Sequence, residues 1–229
     1  MAVPSPALPP ALRRNIDRDA ISIGLATGTY GVSFGAIATA AGFSIWQTQA
    51  LSLLLFSGAS QFAFISVISA GGSVAAAIAT ASLLGIRNGL YGMRIAQLIR
   101  PGFWQKFWFA QLTIDESTAM ANRFDENQET ATRAFLATGI SVFVFWNIAT
   151  LLGSMLAQSI TDPTVFGLDA AIGAGFLALV APRLVDAKTK ITALLAVMIS
   201  LSLTPWLPAG VPILLAATSA IVVAAWSKK

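Results

Sequence analysis

The sequence predicts an all-α, polytopic integral membrane bundle of roughly seven to eight hydrophobic segments. Three observations carry that prediction. Hydrophobic residues make up 56% of the 229-residue chain and charged residues only 10%, against about 25% charged in soluble domains. Mean hydropathy is +0.75, and the apolar residues fall in runs long enough to cross a bilayer. The roughly ten-residue alternating segments that mark a membrane β-barrel are absent.

The composition also excludes chemistry. The chain has no Cys and no His. Disulfides, thiolate sites, zinc and haem sites of the usual types, Ser-His triads and histidine proton relays are therefore removed. No nucleotide-binding motif is present, so the chain does not hydrolyse ATP, and no cofactor is implied. The net charge of +4 is read loop by loop against a membrane, not as a nucleic-acid signal.

Residues 1–19 read as a disordered, cytoplasmic N-terminal tail, Pro/Ala/Ser-rich at first and basic at Arg13, Arg14 and Arg18. Residues 20–229 read as one transmembrane domain with halves at about 20–121 and 132–226. The first span, about Ala20–Ala41, has Gly24, Gly28, Gly31 and Gly35 in small-xxx-small spacing, which reads as a helix-packing face. It is long for a signal peptide and is expected to be retained. The second segment is Trp46–Ala70, closed by Gly71-Gly72, and the third is Ser73–Ile99. The fourth, Phe103–Ala121, opens on an interfacial aromatic cluster of Trp104, Phe107, Trp108 and Phe109. The polar loop Asn122–Arg133 divides the halves. The fifth segment is Ala134–Ala157, the sixth Asp169–Ala181 with Gly173 and Gly175, and the seventh Ile191–Leu203; Pro205, Pro208 and Pro212 turn the chain into the eighth. Ile37–Gly42 echoes Ile148–Gly153, which suggests a two-fold internal repeat with discontinuous helices.

Three polar constellations stand out. In Phe56-Ser57-Gly58-Ala59-Ser60-Gln61-Phe62, hydroxyls and an amide flank a Gly in the middle of an apolar segment. Such a stretch loosens a helix and frees backbone groups for a ligand, or else packs helices closely. Arg87, in Arg87-Asn88-Gly89-Leu90-Tyr91, is costly inside a bilayer and marks a functional site, unless the span ends early and it snorkels. Asp115 and Glu116 form the one acidic pair at membrane depth, about 100° apart on a helix. They suit a proton or cation carrier or a counter-charge for Arg87; the alternative is a half-inserted, solvated segment. Eight spans would place the N-terminus and the loops at 122–133 and 183–190 on one basic, cytoplasmic side, but would put Arg94, Arg100 and Lys106 outside.

These motifs, in order and spacing, resemble the AzlC family of branched-chain amino acid exporters. The resemblance rests on Phe56–Phe62, on Arg87–Tyr91 and on Leu112-Thr113-Ile114-Asp115-Glu116-Ser117, and covers most of the chain from Ala20. Asn88 stands where the family commonly has His, so a role for that His does not transfer. The resemblance implies a large subunit in the cytoplasmic membrane that works with a small AzlD-like membrane protein and exports valine, leucine or isoleucine.

The residues fit such a substrate. A zwitterion needs a carboxylate partner, an ammonium partner and an apolar pocket. Arg87 suits the carboxylate, Asp115 or Glu116 the ammonium or a proton, and Ser57, Gly58, Ser60, Gln61, Asn88 and Tyr91 the remaining contacts. The rival readings are a passive channel for small solutes and a non-transporting scaffold; an enzyme is disfavoured for want of a nucleophile in a recognisable setting.

Overall fold

A computed structural model describes residues 8–159, 177, 180, 181 and 184–226. Regular structure among the described residues is entirely helical: α1 (Pro10–Ala40), α2 (Ile45–Leu54), α3 (Gly58–Ser69), α4 (Val74–Ile99), α5 (Gln105–Leu112), α6 (Asp115–Arg123), α7 (Gln128–Gln158), α8 (Ala187–Leu203), α9 (Val211–Ala216) and α10 (Thr218–Trp226). Among them α1, α4 and α7 are long and apolar enough to cross a membrane. Most of the expected sixth segment, with Gly173 and Gly175, lies outside the described residues.

The paired α1 and α7 form the spine. They run parallel, with Gly24 against Ser141, Gly28 against Phe145 and Gly35 against Thr150. A Cβ on Gly35 would lie 2.0 Å from the Thr150 carbonyl oxygen, and one on Gly153 would lie 2.1 Å from that of Val32. The small residues therefore let two backbones approach more closely than any side chain permits. Residues 10–19, expected to belong to the tail, are the opening turns of α1. Ile16 is fully buried with Met120 and Ala134. Asp17 pairs with Arg133, and Asp19 with Arg123 at 3.1 Å. These contacts extend the helix beyond the apolar run.

The expectation that Trp46–Ala70 crosses as one segment is corrected. The chain breaks at residues 55–57 and turns back. In an unbroken helix residues 51 and 61 would be about 15 Å apart, yet the Gln61 side-chain amide donates to the Leu51 carbonyl at 3.1 Å. The returning helix climbs the spine: Gly58 faces Trp146, Phe62 meets Phe34, and Ile65 joins the cluster holding Ile37. Phe103–Ala121 does the same from the opposite end. On the way in, Phe109 stacks edge-on with Phe135 at 5.4 Å and Leu112 faces Gly139. On the way back, Ile114 clusters with Val142 and Trp146, and Met120 with Ala134.

Two hairpins therefore enter from opposite ends and meet tip to tip, where the Gln111 amide donates to the Leu53 carbonyl at 2.8 Å. Neither changes the side on which the chain continues. Arg94 pairs with Asp125 at 3.2 Å and donates to Asn122, which places the last turns of α4 beside the first turns of α1 and α7. Gly210, in the loop after α8, lies against Val67 and Ala76 at the other end. Lys188 and Lys190, in the first turn of α8, are thereby at the end with the N-terminal arginines. Asp186 caps that helix, and the Thr189 backbone N–H at 2.7 Å holds its carboxyl below the ordinary range. The misfit of Arg94, Arg100 and Lys106 disappears: among the described residues every Lys and Arg but Arg87 lies toward the same end.

Single cysteines in this Cys-free chain test the arrangement. An impermeant maleimide is expected to reach Arg14→Cys, Lys106→Cys and Glu126→Cys from one side, and Ala70→Cys and Thr204→Cys from the other. A crossing Trp46–Ala70 segment would instead put residues 14 and 70 on the same side. Packing is tested by Gly35→Ala, expected to lower the thermal midpoint by the equivalent of about 1–3 kcal/mol of overpacking. Gly89→Ala, inside α4 where a Cβ meets nothing within 4 Å, is expected to raise it slightly, by the equivalent of about 0.5–1 kcal/mol.

Candidate functional site

Arg87 sits at the midpoint of the 26-residue α4, as far from either membrane face as that helix allows. Its Nη1 donates to Asp115 Oδ2 at 2.9 Å, and the two side chains are 27% and 25% exposed. An Arg at this depth is tolerated because it is paired and borders a cavity. Asp115 and Glu116 form the first turn of α6, where the partial positive charge of a helix start favours carboxylates. The break before α6 is tied internally: the Ile114 N–H donates to Ser117 Oγ at 3.1 Å, and Ser117 Oγ donates to the Leu112 carbonyl at 2.6 Å.

The start of α3 faces the same space. Ser57 precedes the helix without a side-chain cap, its hydroxyl lying 3.3 Å from that of Ser60. Gly58 follows because a Cβ there would press to 3.3 Å from Cη2 of Trp146. Between the hairpin tips, α1, α4 and α7 lies a cavity of about 260 Å³. Its polar wall is Ser57, Gly58, Arg87, Asn88, Asp115 and Glu116, with Thr27 and Tyr30 from α1. Its apolar wall is Phe56, Phe62, Leu84, Ile114, Val142 and Trp146. Three buried polar atoms on residues lining it have no partner: Arg87 Nε, Asn88 Oδ1 and Trp146 Nε1.

Six of the nine residues marked in the sequence are thus brought together. The other three stand apart. Ser60 lines a second cavity of about 420 Å³ on the far side of Phe56-Ser57, with Gly85, Asn88 and Gln111. Gln61 is fully buried and closes the α2–α3 turn. Tyr91, one turn beyond Arg87, is half-buried and lines neither cavity. Sequence reading missed Trp146, Phe56, Tyr30 and Val142. No signal in the sequence marked Trp146 as a wall of the site, since its ring meets Gly58 only through the fold.

Residues 22–160 match the AzlC family, described as AzlC protein. That stretch holds both hairpins, α4, α7 and most of α1. An uncharacterized membrane protein of Archaeoglobus fulgidus is 34% identical over 154 residues, 66% of this chain and 67% of that protein. An uncharacterized membrane protein of Helicobacter pylori is 23% identical over 160 residues, 69% of this chain and 70% of that protein. No solved structure matches. With its spine, its apolar helices and the family match spanning both hairpins, this chain is a membrane protein and belongs to the AzlC family.

Proposed function

We propose that the protein is a secondary exporter of small hydrophobic, branched-chain amino acids in the cytoplasmic membrane. It would act as the large subunit beside a small AzlD-like membrane protein. One observation carries this reading: a single mid-depth cavity offers a cation, two carboxylates, an uncapped helix start and an apolar wall. A zwitterion with an aliphatic side chain needs those features together. The volume, about 260 Å³, is below the roughly 300–1,000 Å³ typical of drug-sized ligands, which suits a molecule of amino-acid size.

In this reading the substrate carboxylate approaches the positive side of the cavity, Arg87 and the start of α3. The ammonium approaches Asp115 and Glu116, and the aliphatic group lies against Phe62, Val142 and Trp146. Asp115 or Glu116 also carries the coupling proton or cation. The end that collects the basic residues faces the cytoplasm by the positive-inside rule. Substrate access from that side passes the α5–α6 hairpin, and from the other side the α2–α3 hairpin.

Counterflow of labelled leucine into proteoliposomes tests the proposal. Arg87→Ala, Asp115→Asn and Glu116→Gln are each expected to lower the rate at least tenfold; wild-type rates in all three would remove the site. Saturable exchange separates a carrier from a channel, and counterflow that appears only with a co-expressed small subunit would confirm the two-subunit form. Stability is separable from transport. Asp115→Leu leaves a guanidinium without its partner and is expected to cost up to about 3–5 kcal/mol, whereas the double variant Arg87→Met/Asp115→Leu is expected to return close to wild-type stability while remaining inactive.

A further inference from the structure

We infer that the start of α3 and the indole N–H of Trp146 together form an oxyanion subsite, which takes the carboxylate of the carried molecule. The inference deepens the proposed function and rests on the cavity being the substrate site. It differs in which group holds the anion.

Arg87 is the obvious anion partner and its Nε is without a hydrogen-bond partner, but its Nη1 is already on Asp115 at 2.9 Å. A substrate carboxylate seated on that nitrogen would displace the pairing that makes the Arg tolerable at mid-depth. The α3 start carries no such commitment. It is a 12-residue helix whose N-cap side chain, Ser57, makes no capping bond. Ser60 and Gln61 N–H groups turn back to the Ser57 carbonyl at 2.7 and 3.2 Å. Those of Gly58 and Ala59 have no partner among the described residues, and both residues line the cavity. Free N–H groups at a helix start favour an anion by direct donation and by the helix dipole.

Trp146 is the independent observation. It is 4% exposed, lines the cavity, and its Nε1 is buried without a hydrogen-bond partner. An indole N–H only donates, so leaving it dry is a cost that only an acceptor relieves. The ring is fixed beside the helix start. It stacks on Phe34 at 6.2 Å, and a Cβ on Gly58 would lie 3.3 Å from Cη2 and 3.8 Å from Cζ2. A Cβ on Gly58 would be almost as near Cζ3, at 3.9 Å, so the outer edge of the six-membered ring covers the helix start. Two backbone donors and one indole donor thus belong to residues that line one space, and Asp115 and Glu116 line it too, as partners for an ammonium group.

The test uses purified full-length protein in lipid nanodiscs and three probes: L-leucine, 4-methylpentanoate, which lacks the amine, and 3-methylbutylamine, which lacks the carboxylate. The indole ¹H–¹⁵N resonance of Trp146, assigned among the six Trp by its loss in Trp146→Phe, reports directly on the donor. Leucine and 4-methylpentanoate are expected to move it downfield, and the amine to leave it in place. Trp146→Phe, which keeps a stacked ring, is expected to weaken binding of the two carboxylates roughly ten- to hundredfold, as for a lost hydrogen bond to a charged group, with the amine unaffected. An unmoved indole, or equal carboxylate affinity in Trp146→Phe, overturns the subsite; continued leucine counterflow would then leave the proposed function standing without it. A resonance moved by 4-methylpentanoate in a protein that does not carry leucine would uphold the subsite and reject the amino-acid reading.

Discussion

Backbone polar groups cannot be left open in hydrocarbon, and this constraint governs the whole arrangement. The chain interrupts its helices twice at mid-depth, at residues 55–57 and 113–114. Each interruption frees carbonyls at the end of one half-helix, and each is answered by a side chain. Gln61 and Gln111 donate to Leu51 and Leu53 at the end of α2. Ser117 and Thr113 donate to Leu112 and Phe109 at the end of α5. The polar motifs are therefore first the means by which the breaks exist at all. Gln61 belongs wholly to this task, which is why a residue prominent in the sequence does not line the cavity.

The two breaks also set the electrostatics. Both α3 and α6 begin at the hairpin tips, so two positive helix ends converge at mid-depth beside Arg87. The α6 end is balanced by Asp115 and Glu116 in its own first turn, and Asp115 balances Arg87 as well. The α3 end has no acid of its own. A cavity built this way is lined by carboxylates, a paired guanidinium and the uncapped start of α3. The glycine seam between α1 and α7 holds this lining in place, because it fixes Trp146 and Phe34 against the α3 start.

The helical class, the glycine packing face and the convergence of Ser57, Arg87, Asp115 and Glu116 were legible in the sequence. Each depends on residue type and spacing, which a bilayer makes unforgiving. The path of the chain was not legible. An apolar stretch such as Trp46–Ala70 has the length to cross, and length alone does not distinguish crossing from turning back. The information lay in two places: the Gly58 break, and the placement of Arg94, Arg100 and Lys106, which eight simple spans could not accommodate. Folding back one segment moves one set of basic residues to the wrong side; folding back both restores them all. Trp146 was illegible for a different reason. A Trp in an apolar span is ordinarily a packing residue, and only the position of Gly58 beneath its ring shows that it bounds a cavity.

Arg87 and Asp115 occupy a position where stability alone would not keep them. A buried ion pair is commonly no better, and often worse, than two apolar side chains of the same volume, because desolvation offsets the attraction. Here each partner remains about a quarter exposed, at 27% and 25%, and that exposure is to a cavity in the middle of the bundle. The cost of the pair is lowered by the polar space it borders, and the space stays polar because the pair and the helix ends line it. Cavity and pair thus sustain one another. An aliphatic pair at these positions would remove the charge from a mid-membrane hollow, while the surrounding packing of α4 on α6 would survive unchanged.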